Sequence, residues 1–108
     1  MTVQQLMETC GFTAAALPQP DREVSGVYIG DLLSWVMGRA GADEAWITIM
    51  SNRNIVAVAT LADTACILLA EGVSPDEGVA QLAAEKGVNI LQSPESAYQI
   101  AMRLRDAL

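Results

Sequence analysis

The run Ala65–Ala70, ACILLA, is apolar at every position and lies between Thr64 and Glu71. A strand with one wet face alternates apolar and polar residues. A run without alternation is covered on both faces, the environment of a parallel strand between helical layers. That segment demands a sheet with material on either side of it, within a chain of only 108 residues. A chain of this length has room for one domain, residues 1–108, and one core. The core material is aliphatic, since 52% of residues are hydrophobic and only 5% are aromatic.

The flanking segments supply the rest of such a fold. Val3, Leu6, Met7 and Cys10 recur at helical spacing before Gly11, which predicts a helix over 2–10. Phe12–Leu17 is a short apolar run ended by a loop, Pro18-Gln19-Pro20-Asp21. Glu23–Ile29 predicts a strand with a bulge at Gly26, and Asp31 is placed to cap a helix over 32–39. Trp46–Met50 has strand composition. If it pairs in parallel with Ala65–Ala70, residues 54–64 must cross over as a helix with Ile55, Val58, Ala59 and Ala62 inward. The alternation in IVAVAT also admits a hairpin across Ser51-Asn52-Arg53-Asn54. Ser74-Pro75-Asp76-Glu77 combines a cap, a first-turn proline and an acid, predicting a helix over 75–86 buried along Val79, Leu82 and Ala83. Val88–Leu91 reads as a short strand. Ser93-Pro94-Glu95 repeats the starting signal for a last helix whose inward face is Ala97, Ile100, Ala101 and Leu104. The alternation of strands and helices predicts an α/β domain, a mostly parallel central sheet flanked by helices in two or three layers.

Several functions are disfavoured. The net charge is −7, and the six basic residues form no cluster beyond Arg103 and Arg105, whereas nucleic acids and anionic membrane surfaces require a cationic face. The most apolar tract, Ile55–Ala70, spans 16 residues and contains Asp63. A spanning helix requires about 20 apolar residues. No basic segment precedes an apolar one at the start, so a cytoplasmic protein is expected. Cys10 and Cys66 are isolated and read as buried thiols, with neither metal spacing nor a disulfide framework. There is no histidine, which removes Ser-His-Asp and Cys-His arrangements and most catalytic zinc sites. The expectation is a protein that is not an enzyme and that carries no cofactor and no metal.

Two segments remain as candidate sites. In GVYIGDLLSWVMG, residues 26–38, the pattern G-x-x-x-G-D lacks both the triple glycine of dinucleotide folds and the Lys-Ser/Thr of phosphate loops. Asp31 would repel a phosphate there. Leu32, Leu33, Trp35, Val36 and Met37 cover most of the helix that follows, which suits a central core helix or a subunit interface, and a Trp and a Met two residues apart favour a homodimer contact. The second segment is Ser51-Asn52-Arg53-Asn54, beyond a predicted strand, where parallel sheets bind ligands. Arg53 with Asn52 and Asn54 suits an anionic small molecule. Gly72 and Ser74, and Ser93, lie in loops that open on the same edge.

The sequence WITIM-SNRN-IVAVATLADTA-CILLAEG-VSPDE together with VNILQSPESAYQIAMRL resembles the DRTGG-domain family across most of residues 23–106. Of the family signature, Arg53 and Gly72 stand in place, with Asn52 before the arginine and Ala70-Glu71 before the glycine. The resemblance implies an α/β fold similar to the N-terminal domain of HPr kinase/phosphorylase. It also implies a bacterial, non-catalytic, often dimerising regulatory module with a signalling or redox protein as partner. The leading reading of the residues together with the resemblance is a homodimeric sensor binding a nucleotide-like or other anionic metabolite near Arg53, Gly72 and Ser74. Two other function classes are open at this point: a protein-protein adaptor without a small-molecule ligand and, least favoured, an enzyme using Ser or Asp without histidine.

Overall fold

A computed structural model describes all 108 residues. Its elements are α1 (Val3–Cys10), β1 (Thr13–Ala16), β2 (Gly26–Ile29), α2 (Leu33–Arg39), β3 (Glu44–Thr48), α3 (Asn54–Ala62), β4 (Cys66–Leu69), α4 (Val79–Lys86), β5 (Ile90–Gln92) and α5 (Ala97–Ala107). The five strands form one sheet in the order β1-β5-β4-β3-β2. β2, β3, β4 and β5 are mutually parallel neighbours, and β1 joins β5 antiparallel with a slip in register between Ala14 and Ala16.

Strand side chains alternate between two separate cores. In β4, Cys66 and Leu68 face a cluster with Leu6 of α1 and Ile100 and Leu104 of α5. Ile67 and Leu69 face the opposite cluster, with Val36, Ile55, Val58 and Val79 from α2, α3 and α4. This is why ACILLA shows no polar alternation: every residue from Ala65 to Ala70 is buried. Successive crossovers that step along the sheet in one direction with one hand place α2, α3 and α4 on one face. The remaining face is closed by α1 and α5, giving three layers.

The crossover over 54–62 is a helix, and the hairpin alternative does not form. The β-branched residues of IVAVAT are tolerated because Ile55, Val56 and Val58 are buried against the sheet. β3 runs from Glu44 to Thr48 instead of 46–50, since Glu44 and Ala45 pair with β2 while Ile49 lies beyond the ladder. The segment 23–29 is a strand only from Gly26; before it, Glu23 makes an isolated bridge to Thr2. The bulge lies at β1, not at Gly26, which keeps register with Glu44.

Three helix starts differ from the sequence expectation. Asp31 does not cap α2: Leu32 holds the cap position without a side-chain bond. The Asp31 carboxylate instead accepts from the Thr48 hydroxyl at 2.8 Å and the Ile49 amide at 3.0 Å, tying the ends of β2 and β3 together. α4 begins at Val79, not at Pro75, because Gly78 adopts φ +83°, a left-handed conformation that breaks a helix. The Asp76 carboxylate is held by the Ser51 hydroxyl at 2.8 Å, and its amide donates to the Ser51 carbonyl at 3.0 Å. α5 is capped by Ser96 instead of Ser93, in a reciprocal box with Gln99.

Candidate functional site

The parallel strands bring their carboxyl ends to one edge, and with them the loops 30–32, 49–54, 70–78 and 92–96. Asn52, Arg53 and Asn54 follow β3, Gly72 and Ser74 follow β4, and Ser93 follows β5, so the six candidate ligand residues do occupy adjoining loops.

Most of the polar groups there are already engaged with one another. The Asn52 side-chain carbonyl accepts from the Asn54 amide at 2.9 Å, closing a turn that opens α3. Gly72, with φ +73°, donates its amide to the Ser93 carbonyl at 3.0 Å. Gln92 donates to the Ser74 hydroxyl oxygen at 3.3 Å. Ser93 is buried, and its hydroxyl accepts from the Glu95 amide at 3.2 Å. Glu95 receives both Arg103 donors, at 2.6 and 2.9 Å, and these hydrogen bonds hold its carboxyl below the usual carboxylate range.

Arg53 is the exception. Its exposed side chain forms no ion pair, and it borders an open groove of about 520 Å³ between α3 and α4 with Asn54, Val56, Leu61, Leu82 and Lys86. Gly72, Ser74 and Ser93 do not line that groove. The cation therefore sits around the corner from the other loop residues.

The second site is the corner where β2 ends and α2 begins. Leu32, Trp35 and Met37 are 59%, 54% and 45% exposed, whereas Val36 is fully buried in the core and Leu33 is half-buried. Ile29 and Ile49, about half exposed, belong to the same corner, because Asp31 links their backbones through β2 and β3. Neither isoleucine stood out in the sequence; the signal was that each falls just where its strand ends. The Arg39 guanidinium lies 4.0 Å from the Trp35 ring centre and keeps the indole in place. Trp46, by contrast, is buried and donates its indole N–H to the Gly30 carbonyl at 2.8 Å. β2 is one of the two edge strands of the sheet, so this apolar corner stands beside unpaired backbone.

Cys66 is buried as expected, whereas Cys10 is only partly buried. Burial pushes the Cys66 thiol up to about 12, and burial also raises Cys10, opposed by Arg103. No group of three His, Cys, Asp or Glu side chains is placed to hold a metal, and no helix is long and apolar enough to cross a membrane.

Comparison with known proteins decides the family. The DRTGG domain model matches residues 18–107. The chain belongs to the DRTGG domain family. Among solved structures, this DRTGG domain is similar to the crystal structure of the CBS and DRTGG domains of the regulatory region of Clostridium perfringens pyrophosphatase, complexed with its activator diadenosine tetraphosphate. The TM-score is 0.76 at 12% sequence identity, over 99% of this chain and 47% of that one. The likeness is one of fold, and the DRTGG domain here spans about half the length of that chain. No curated protein matches the sequence.

Proposed function

We propose that this DRTGG domain is a non-catalytic regulatory domain that acts as a homodimer through the β2–α2 corner and responds to an anionic metabolite, nucleotide-like or other, held at Arg53. The observation that carries the reading is the corner itself: Leu32, Trp35 and Met37 of the β2–α2 segment, with Ile29 and Ile49 at the strand ends, are all about half exposed next to the edge strand β2. Exposed apolar side chains gathered in this way mark contact surfaces. The regulatory setting of the Clostridium perfringens relative and the lack of any histidine or activated thiol support a role in regulation rather than catalysis.

The two tryptophans make the assembly directly measurable. Trp46 is buried already, so a change of emission on association reports Trp35. Emission of a Trp46→Phe variant is expected to shift to longer wavelength on dilution as Trp35 returns to water. A maximum independent of concentration, at the wavelength of exposed indole, would contradict the dimer.

The adaptor reading, with no small ligand, has one observation in its favour: Gly72, Ser74 and Ser93 are bonded within the loops. A thermal-shift comparison with nucleotides and phosphorylated metabolites separates the two, because a ligand of the folded state raises the melting temperature. A saturable rise abolished by Arg53→Ala is the expected result, and a flat response to the whole panel would favour the adaptor.

A further inference from the structure

Of the six basic residues, four have partners on the chain: Arg22 pairs with Asp43 and Asp63, Arg103 with Glu95, Arg105 with Asp106, and Arg39 stacks on Trp35. Arg53 and Lys86 have no acid within 4.0 Å, and both border the groove between α3 and α4. In a chain of net charge −7, the two uncompensated cations thus share one surface feature.

Their placement is set by topology. α3 and α4 both run back from the carboxyl edge of the sheet to its amino edge, so they are parallel. Arg53 precedes the first turn of α3. Lys86 closes α4 and stands beside Thr60, with which it also borders the neighbouring cavity. From Arg53 to Thr60 is two turns, roughly 10 Å along the axis at about 1.5 Å per residue. Between the two cations the wall is mostly apolar or small, formed by Val56, Ala57, Leu61 and Leu82 with Asn54 and Thr60 as its polar members, and Leu61 is 71% exposed.

The geometry points to this groove as the docking site for an amphipathic helix of a partner protein carrying acidic residues at positions i and i+7 with apolar residues at i+3 and i+4. Such a helix presents two carboxylates about 10 Å apart on one face and sets its apolar residues between them. Ala57 and Thr60 leave room for its backbone, and a third helix laid between two others is a common mode of peptide recognition. A nucleobase is a poor fit, since the groove offers no aromatic ring to stack on. A second copy of this chain is also a poor fit, because none of its five helices contains two acidic residues. The inference does not depend on the ligand reading above. Lys86 has no part in that reading and so distinguishes the two.

The test uses fluorescence anisotropy of two labelled, helix-stabilised 14-residue peptides at about 0.15 M salt, where screening over about 8 Å leaves mainly short-range contacts. One carries Glu at i and i+7 with Leu at i+3 and i+4; the other carries Lys in place of both Glu. The acidic peptide is expected to bind with a micromolar Kd and the basic one at least tenfold more weakly, although the net charge of the protein favours the basic peptide at long range. Lys86→Glu is expected to weaken the acidic peptide several-fold, and Arg53→Glu/Lys86→Glu to reverse the order of the two. Leu61→Asp should weaken both. Equal binding of the two peptides, an order unchanged in the double variant, or no acidic-peptide binding at 1 mM would overturn the proposal. So would binding of decanoate in the groove with neither peptide bound, which would make it an acyl-anion site.

Discussion

At the scale of single residues, hydrogen bonding separates structural polar groups from replaceable ones. Asp31 accepts from Thr48, a residue only 2% exposed, so Asp31→Ala leaves the Thr48 O–H and the Ile49 amide without their acceptor, the hydroxyl keeping only the Met50 amide. We predict a loss of about 1–3 kcal/mol in urea unfolding, the range for removing a charged acceptor. Ser96→Ala removes a true helix cap and should cost about 1 kcal/mol, whereas Ser74→Ala should stay within about 0.5 kcal/mol. Equal costs for the two serines would contradict the helix starts described here. Glu95 adds a pH dependence. Its carboxyl is lowered chiefly by hydrogen bonds from Arg103, so the pair stabilises the fold above the ordinary glutamate value of about 4.3. That contribution disappears as pH falls through the lower folded value. The stability advantage of the wild type over Glu95→Gln should therefore be present at neutral pH and vanish on acidification; an advantage unchanged down to strongly acidic pH would contradict it. These contacts were not legible in the sequence. Asp31 stands where a cap belongs, and only the adjacency of β2 and β3 shows that its partners come from residues 48 and 49.

At the scale of elements, the readable features were those carried by local periodicity. The unbroken run at Ala65–Ala70 announced a strand with two buried faces, and Ile100 and Leu104 announced the inward stripe of α5. The Ser-Pro-acid segments misled at both helix starts, because a cap signal is short and a left-handed Gly78 or a second serine at 96 overrides it. β1 was invisible as a strand for a different reason. Thr13–Ala16, TAAA, has little strand preference, and it pairs because β5 offers a free edge. The two cores make a graded prediction. Leu68→Ala in the sheet should cost about 2–5 kcal/mol, while Leu61→Ala on the outer face of α3 should change stability by less than about 0.5 kcal/mol. Denaturant midpoints of the two variants check this directly, and similar values would contradict the placement of α3.

At the scale of the whole molecule, three layers leave two features unsatisfied: the apolar corner at β2–α2 and the unpaired cations along α3 and α4. Sequence reasoning located the corner through Leu32, Trp35 and Met37 but could not tell that Val36 turns inward, since a residue's face depends on how the helix is rotated against the sheet. It likewise brought Arg53 to the correct edge but not to the helix groove, because where a long side chain lies is decided by its neighbours. The proposed homodimer joins two copies of the chain at this corner. The measurement that tests it most directly is sedimentation equilibrium of the wild type and of Trp35→Ala over a range of concentrations. A dimer mass is expected for the wild type and a monomer mass for Trp35→Ala with unchanged far-UV circular dichroism; a wild-type monomer throughout, or a Trp35→Ala variant that remains dimeric, would contradict the dimer.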